Sequence, residues 1–101
     1  MSKIIFISGP ISGIKDYETN FRAAESYLFV KGWTVLNPAM LPSDMPESSY
    51  VPIDLAMLNA ADAIVMLDGW STHAGCLVEH GFALKQGKRV FDRLELVPNV
   101  E

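Results

Sequence analysis

Glu79 is the most informative of the residues in this sequence whose types could do chemistry. On a helical wheel it points almost opposite the apolar stripe that is expected to pack on a sheet. That stripe consists of Ala74, Leu77, Val78, Gly81 and Leu84. A glutamate so placed is ordinarily solvated, but the flank of Glu79 carries Cys76, Phe82 and Ala83. A carboxylate among apolar neighbours has a raised pKa or a function, and the same flank predicts that this helix contacts a second subunit.

Asp54 and His73 are further candidates, each with an ordinary alternative. Asp54 lies in the first turn of a predicted helix, where a carboxylate interacts favourably with the helix dipole whatever its function. His73 stands at a predicted helix N-terminus beside Ser71 and Thr72. That arrangement can receive an anion such as phosphate, although a histidine there can equally be a capping or surface residue.

The sequence predicts neither a metal site nor a cofactor. His73 and His80 are seven residues apart and the carboxylates are dispersed, so no recognisable set of metal ligands forms. The segment Gly9-Pro10-Ile11-Ser12-Gly13 lacks the spacing of a dinucleotide fingerprint and the Gly-Lys-Ser/Thr ending of a P-loop. This loop is either a plain tight turn or a place where the backbone approaches a ligand closely.

Composition restricts the class of protein. The 101 residues are half hydrophobic with a net charge of −4, which predicts one globular domain over residues 1–101. The scattered basic residues exclude a surface that grips a nucleic acid polymer. A single cysteine excludes an internal disulfide framework and fits a reducing cytoplasm. No apolar run is long enough for a membrane span. With nucleic acid polymers and membranes excluded, the expected partner is a small molecule.

The elements that position these side chains can be predicted from the sequence. Apolar runs and turn signals predict four strands, at residues 3–8, 33–36, 63–67 and 88–92. Helices are predicted at residues 19–31, from Pro52 to residue 60, and from about Ala74 to residue 86, the last with Ser71 or Thr72 as its cap. Residues 37–50 hold three prolines and are expected to form one long loop, which favours a functional role. Residues 93–101 receive no assignment.

This alternation predicts an α/β fold, a three-layer open sandwich around a parallel sheet of four to five strands in the order 2-1-3-4. Ligands of such folds bind beyond the carboxyl ends of the strands. The loops at residues 9–16 and 68–75 are expected there, with Ser8 and Asp68 at the same edge of the sheet. Tyr17 and Trp70 lie near the ends of these loops and can line a pocket.

Several motifs along residues 3–91 resemble the nucleoside 2-deoxyribosyltransferase superfamily, which includes the 2′-deoxynucleoside 5′-monophosphate N-hydrolases. The resemblance is closest to the small phage and bacterial members of that superfamily. Its most specific part is Asp68-Gly69-Trp70 followed, after five residues, by the run from Cys76 to Ala83 that contains Glu79. The other matching stretches are Ile5 to Ile11, Asp54 before Asp62-Ala63, and Gly87-Lys88 before a strand.

The resemblance implies a flavodoxin-like fold without a cofactor, and roles for individual residues. Glu79 would be the nucleophile that attacks C1′ of a deoxyribosyl group, Asp54 would position the base or handle its proton, and Tyr17 would hold the nucleophile. Ser8, Gly9, Pro10 and Ile11 would form the pocket wall near base and sugar. The remaining expected substrate contacts are Asp68, Gly69, Trp70, Ser71, His73 and Gly75.

The residue six positions before the nucleophile distinguishes the subfamilies: transferases tend to have an acidic residue there and the monophosphate hydrolases a serine. Here it is His73, which suits a phosphate but matches neither pattern. The resemblance therefore leaves three questions open: whether the substrate is a nucleoside or its monophosphate, which base it carries, and whether the reaction is hydrolysis or transfer. The chain is also shorter at its C-terminus than larger relatives. The alternative function is therefore a nucleotide-binding module without turnover (a sensor, sponge or accessory), and either protein is expected to be a homodimer or higher homo-oligomer.

Overall fold

Four short apolar segments form a parallel sheet in the computed structural model, which describes residues 3–101. Each pair of consecutive strands is connected through an α-helix, as parallel strands require. In chain order the elements are β1 (Ile4–Ser8), α1 (Tyr17–Val30), β2 (Thr34–Leu36), α2 (Glu47–Ala60), β3 (Ala63–Met66), α3 (Ala74–Lys85) and β4 (Arg89–Phe91). Short 3-10 helices occupy Pro38–Met40, Trp70–Thr72 and Leu94–Leu96. The predicted α/β class is confirmed, with four strands in the described part of the chain.

The strand order is β2-β1-β3-β4, which confirms the predicted order. The central strands pair from Ile5 opposite Ala63 to Ser8 opposite Met66, so β1 and β3 end at the same edge. The backbone N–H of Leu67 donates to the carbonyl oxygen of Ser8 at 2.8 Å. Ser8 and Asp68 therefore lie at one edge of the sheet, as expected.

Helices cover both faces of this sheet. One face packs against α1 and the C-terminal segment, through Phe21, Leu28 and Val97. The other packs against α2 and α3, through Leu58 and the small side chains of α3. Every residue of β3 is buried, which is why its sequence is continuously apolar instead of alternating.

The predicted loop over residues 37–50 is wrong in its second half, because α2 begins at Glu47. Pro46 has an extended backbone (φ −56°, ψ 140°) and precedes the helix, whose first turn carries Glu47 at the favourable end of the dipole. Pro52 lies inside the helix and not in its first turn; it removes one backbone hydrogen bond there. Asp54 consequently lies about two turns from the N-terminus, so the helix dipole does not account for it.

The helix α3 begins at Ala74, as expected, but neither Ser71 nor Thr72 is the residue that caps it. Gly69, with φ of 87°, begins a 3-10 turn over Trp70–Thr72, and the α-helix starts only at Ala74. His73 is the residue that precedes it, with an extended backbone (φ −117°, ψ 125°).

The face that α3 turns to the sheet differs from the predicted one. Cys76 and Ala83 are buried and Phe82 is half-buried against the same apolar cluster. Leu77, Val78 and Leu84, expected on the sheet, are 49%, 55% and 58% exposed. Small side chains let the helix approach the sheet closely, which leaves no room there for the larger ones. Cys76, Phe82 or Ala83 was expected to contact a second subunit, but Cys76 and Ala83 are instead buried inside this one.

The C-terminal segment, which the sequence left unassigned, returns to the edge of the α1 layer. The indole N–H of Trp33 donates to the carbonyl oxygen of Pro98 at 2.8 Å, and Val97 is buried. The backbone N–H of Val100 donates to the carbonyl oxygen of Lys31 at 2.8 Å. Among residues 3–101, the structure contains no helix with the length and apolarity that a bilayer crossing needs.

Candidate active site

A cavity of about 400 Å³ opens at the carboxyl edge of the sheet. Three carboxyl groups and one imidazole enter it, and its remaining wall is mostly apolar and backbone. The lining comprises Gly9, Pro10, Ile11, Ser12, Tyr17, Pro38, Ala39, Leu41, Pro42, Ser43, Glu47, Tyr50, Asp54, His73, Ala74, Gly75, Cys76 and Glu79. The structure thus brings together the catalytic candidates Glu79, Asp54 and Tyr17 with five of the predicted substrate contacts.

Ser8 connects the sheet to the carboxylate of α3. Its hydroxyl donates to Oε1 of Glu79 at 2.6 Å, and the Ser8 side chain is 1% exposed. Ser8 lies beneath Glu79 and does not line the cavity. The structure gives Ser8 a partner in Glu79 in place of the substrate contact expected from the sequence.

Burial dominates the electrostatics of Glu79. The pKa of Glu79 rises from 4.5 to about 7, chiefly because burial penalises the charged form. The hydrogen bond from Ser8 lowers this pKa, and the negative charge of Asp54 raises it further. Burial likewise raises the pKa of Asp54 to about 6. Both carboxyl groups therefore keep a proton to higher pH than an exposed carboxyl group does.

Asp54 has an oxygen without a partner. Its Oδ1 is buried and forms no hydrogen bond with any of the described residues. Buried polar atoms are nearly always hydrogen-bonded, and the exceptions are found where a ligand or function accounts for them. Since Asp54 lines the cavity, Oδ1 is suited to accept a hydrogen bond from a bound molecule.

His73 is oriented by the turn that precedes it. Its Nδ1 lies 3.1 Å from the carbonyl oxygen of Gly69 and 3.4 Å from Oγ1 of Thr72. A carbonyl oxygen only accepts, so the hydrogen bond requires the proton on Nδ1. The neutral ring then has Nε2 as a hydrogen-bond acceptor, on the side away from Gly69.

Four predicted substrate contacts, Asp68, Gly69, Trp70 and Ser71, lie outside the cavity. Gly69 provides the positive φ that the turn needs. Trp70 packs against the buried cluster beneath α3 and stacks on His80, with ring centroids 4.4 Å apart. These residues build the turn that carries His73.

Tyr17 lines the cavity but is not the group that holds Glu79. Its ring meets Phe21 edge-on at 6.4 Å, and among residues 3–101 no hydrogen bond joins Tyr17 to Glu79. The hydroxyl that contacts Glu79 is that of Ser8 instead, which the sequence could not distinguish from a cavity-facing hydroxyl.

Sequence reasoning missed the wall opposite α3, which Glu47, Tyr50 and the segment from Pro38 to Ser43 form. The Tyr50 hydroxyl donates to the carbonyl oxygen of Pro42 and accepts from the backbone N–H of Met45, at 3.2 Å. Tyr50 thus ties the proline-rich segment to α2. The length and proline content of this region pointed to a functional loop, but nothing in them singled out Tyr50.

The described residues contain no group of three or more His, Cys, Asp or Glu side chains arranged to hold a metal ion. The side chains of the cavity include a carboxylate that Ser8 holds, a second carboxyl group that can hold or release a proton, and an imidazole.

Comparison with known proteins identifies a family and a fold. Residues 3–92 match the family described as "Domain of unknown function (DUF4406)". The solved structure of a 2-deoxyribosyltransferase from Leishmania mexicana is similar, with a TM-score of 0.70 and 22% sequence identity. The likeness covers 87% of this chain and 61% of that one, so this chain spans less than two thirds of the neighbour's length. No curated protein matches the sequence significantly.

Proposed function

This chain belongs to the DUF4406 family, and we propose that it cleaves or transfers the N-glycosidic bond of a 2′-deoxynucleoside with Glu79 as the nucleophile. The observation that carries the proposal is a pair of partly desolvated carboxyl groups, Glu79 and Asp54, in one cavity at the carboxyl edge of the sheet. A glycosidic centre that develops positive charge is attacked by one carboxylate while a second carboxyl group handles the proton. The fold shared with a 2-deoxyribosyltransferase supports the choice of substrate class.

The proposed reaction has two steps. In the first step, a carboxylate oxygen of Glu79 forms a bond to C1′ as the bond between C1′ and the base nitrogen breaks. The electron pair of the broken bond leaves with the base, and the base takes up one proton. Water or a second base then attacks C1′ and gives up one proton to the Asp54 carboxylate, while the ester bond breaks and its electron pair returns to Glu79. Two modest barriers replace one high barrier.

Asp54 is placed to manage the base. Its unpartnered Oδ1 accepts a hydrogen bond from an N–H of the base when the carboxyl group is ionised. When it is protonated it donates to a ring nitrogen, which assists departure of the base. A pKa raised to about 6 makes both forms accessible near neutral pH.

The cavity favours a nucleoside over its 5′-monophosphate, contrary to what His73 suggested from the sequence. Its lining, within residues 3–101, includes three carboxyl groups and no lysine or arginine. A phosphate dianion would be repelled by these carboxylates. A 5′-hydroxyl carries no charge, and it can donate its proton to Nε2 of His73 when Nδ1 donates to Gly69.

Chromatographic detection of free base, from a panel of 2′-deoxynucleosides and their 5′-monophosphates, tests the proposal. Each substrate is incubated with and without an acceptor base, which separates transfer from hydrolysis. We expect base release from at least one deoxynucleoside. Calorimetric binding of a deoxynucleoside without any base release would instead support the binding-module function, and neither binding nor release would reject both.

A further inference from the structure

Glu79 is held from below by a residue that the substrate does not reach. Ser8 is buried, lies outside the cavity lining, and places its hydroxyl 2.6 Å from Oε1 of Glu79. We propose that Ser8 is a positioning residue, which fixes Glu79 through Oε1 and makes Oε2 the oxygen that attacks C1′. This inference rests on the proposed function.

The support for Ser8 is rigid. It is the last residue of β1, paired with Met66 of β3, and its carbonyl oxygen accepts from the N–H of Leu67 at 2.8 Å. A serine side chain has one rotatable heavy-atom torsion, whereas a glutamate has three. Anchoring the longer side chain to a central strand limits the orientations of its carboxylate to those compatible with one hydrogen bond.

The hydrogen bond also divides the roles of the two carboxylate oxygens. Oε1 accepts the Ser8 proton, and no hydrogen bond to another described residue engages Oε2. An oxygen whose lone pair accepts a short hydrogen bond is the weaker nucleophile of the two. Since Glu79 lines the cavity and Ser8 does not, the free oxygen is the one presented to a bound sugar.

Ser8 further favours the ionised form that attack requires. Its hydrogen bond lowers the pKa of Glu79, whereas burial and the charge of Asp54 raise it. Removing the hydroxyl should therefore move the titration of Glu79 to higher pH, and removing the charge of Asp54 should move it to lower pH. The other titratable groups near Glu79 are Cys76, beside the Ser8 hydroxyl, and Tyr17, Glu47, Tyr50 and His73 of the cavity wall.

The test is a carbon-13 NMR titration of the glutamate carboxyl groups between about pH 4 and about pH 9, with the Glu79 signal identified by its loss in Glu79→Gln. We expect the Glu79 midpoint to rise in Ser8→Ala and to fall in Asp54→Asn. Ser8→Thr, which retains the hydroxyl, should restore the midpoint, and Ser8→Cys, a weaker donor of similar size, should give an intermediate value. An unchanged or lower midpoint in Ser8→Ala would overturn the proposal.

A kinetic measurement tests positioning itself. Ser8→Ala should lower kcat for base release about 10- to 100-fold with little change in KM, and the loss should be smallest at alkaline pH. Ser26→Ala, which removes an exposed hydroxyl on α1, is the matched control and should match the wild type. If kcat of a folded Ser8→Ala protein equals that of the wild type, Ser8 does not position the nucleophile.

The two measurements separate this inference from the proposed function. A wild-type protein that releases no base refutes the proposed function, while the NMR titration still decides whether Ser8 controls the ionisation of Glu79. Thermal unfolding of each variant identifies any loss of signal that comes from misfolding, and Ser8→Thr and Ser8→Cys then provide folded alternatives to Ser8→Ala.

Discussion

At the scale of residues, the pair Glu79 and Asp54 is unfavourable for the folded state. Each carboxyl group has lost solvation, and the charge of Asp54 adds repulsion to the ionised form of Glu79. One oxygen of Asp54 has no partner among the described residues. Groups held in such surroundings are typical of sites where function outweighs stability. The pair therefore makes separate predictions for stability and for activity.

The stability prediction concerns Glu79→Gln. The pKa of Glu79 is about 7 in the folded protein and 4.5 ordinarily, so between these values the unfolded chain releases a proton that the folded chain keeps. Stability must then fall as pH rises through this window. Glutamine has no charge to desolvate, so the variant should be more stable than the wild type at pH 8, by up to about 3 kcal/mol, and about equally stable at pH 4.

Thermal unfolding at both pH values measures this difference. Glu95→Gln, which removes an exposed carboxylate in the C-terminal segment, is the control and should show no comparable gain at pH 8. A variant at residue 79 that is destabilised at pH 8 would contradict the burial-driven pKa.

The activity prediction concerns the same substitution. Glu79→Gln retains the shape of the side chain and can still accept from Ser8, but it cannot form the ester with C1′. Turnover should fall by several orders of magnitude while the dissociation constant of a deoxynucleoside changes little, because the lost interaction belongs mainly to the transition state. Base release at the wild-type rate would show that Glu79 is not the nucleophile.

His73 provides a prediction about specificity. His73→Asp retains an acceptor for a 5′-hydroxyl but places a negative charge where a 5′-phosphate would lie. Binding of a deoxynucleoside should change by a few-fold at most, and binding of its monophosphate should weaken much more. Calorimetric dissociation constants for both ligands give the comparison. Equal weakening for the two would indicate that His73 does not face the 5′ end of the substrate.

At the scale of elements, α3 shows where sequence reasoning failed and why. A helical wheel ranks faces by apolarity, and α3 has large apolar side chains on the face that is exposed and small ones on the face that packs. Because Cys76 and Ala83 pack against the sheet, the side chain of Glu79 lies in the cavity and not in solvent. The sequence showed that Glu79 is a carboxylate with apolar neighbours on its helix, which marked it as a candidate. The direction in which its side chain points depends on how the helix packs, and that is determined only by the fold.

The element α2 was misplaced for a local reason. Pro52 in the sequence resembles a helix start, but Pro46 and Glu47 begin the helix and Pro52 is accommodated inside it. Residues 47–50, about one turn of α2, were therefore predicted as loop, and with them the site residue Tyr50 was missed. Asp54 was still identified, because its candidacy came from its type and from the resemblance and not from its place in the helix.

Tyr50 yields a prediction for this element. Tyr50→Phe removes the hydroxyl that joins α2 to Pro42 and Met45, so the segment over the cavity loses both ties. Each such hydrogen bond contributes on the order of 1 kcal/mol. We expect KM for a deoxynucleoside to rise several-fold with kcat nearly unchanged, and faster amide hydrogen exchange at Met45. Tyr27→Phe, on the exposed side of α1, is the control; an unchanged exchange rate in Tyr50→Phe would contradict the tie.

At the scale of the whole molecule, topology was the most predictable feature. Alternating strands and helices permit few arrangements once crossovers are right-handed, and the order β2-β1-β3-β4 followed. The edge that holds the site followed too, because parallel strands end together. What faces the cavity at that edge was less predictable: Asp68, Gly69, Trp70 and Ser71 have suitable types and positions, yet they build a turn beneath it.

The exposed face of α3 carries the final prediction, a homodimer. The exposed residues of α3 before Lys85 are all apolar: Ala74, Gly75, Leu77, Val78, Gly81 and Leu84. Ala74 and Gly81, which are small, are seven residues apart and lie on one line along the helix. Leu77 and Leu84, which are large, are also seven residues apart and lie on a neighbouring line. A Cβ atom at Gly81 would meet no other atom within 4 Å, so the surface there is open to a side chain of a second copy. An uncharged apolar stripe is suited to a two-fold contact between identical helices.

Sedimentation equilibrium at micromolar concentration should therefore show a dimer for the wild type. Leu84→Glu would place two like charges in the contact and desolvate both, so it should yield a monomer with an unchanged fold by circular dichroism. Gln86→Glu adds the same charge to an exposed position beyond the end of α3 and should remain dimeric. A monomeric wild type would refute the prediction, and a dimeric Leu84→Glu would place the contact on another surface.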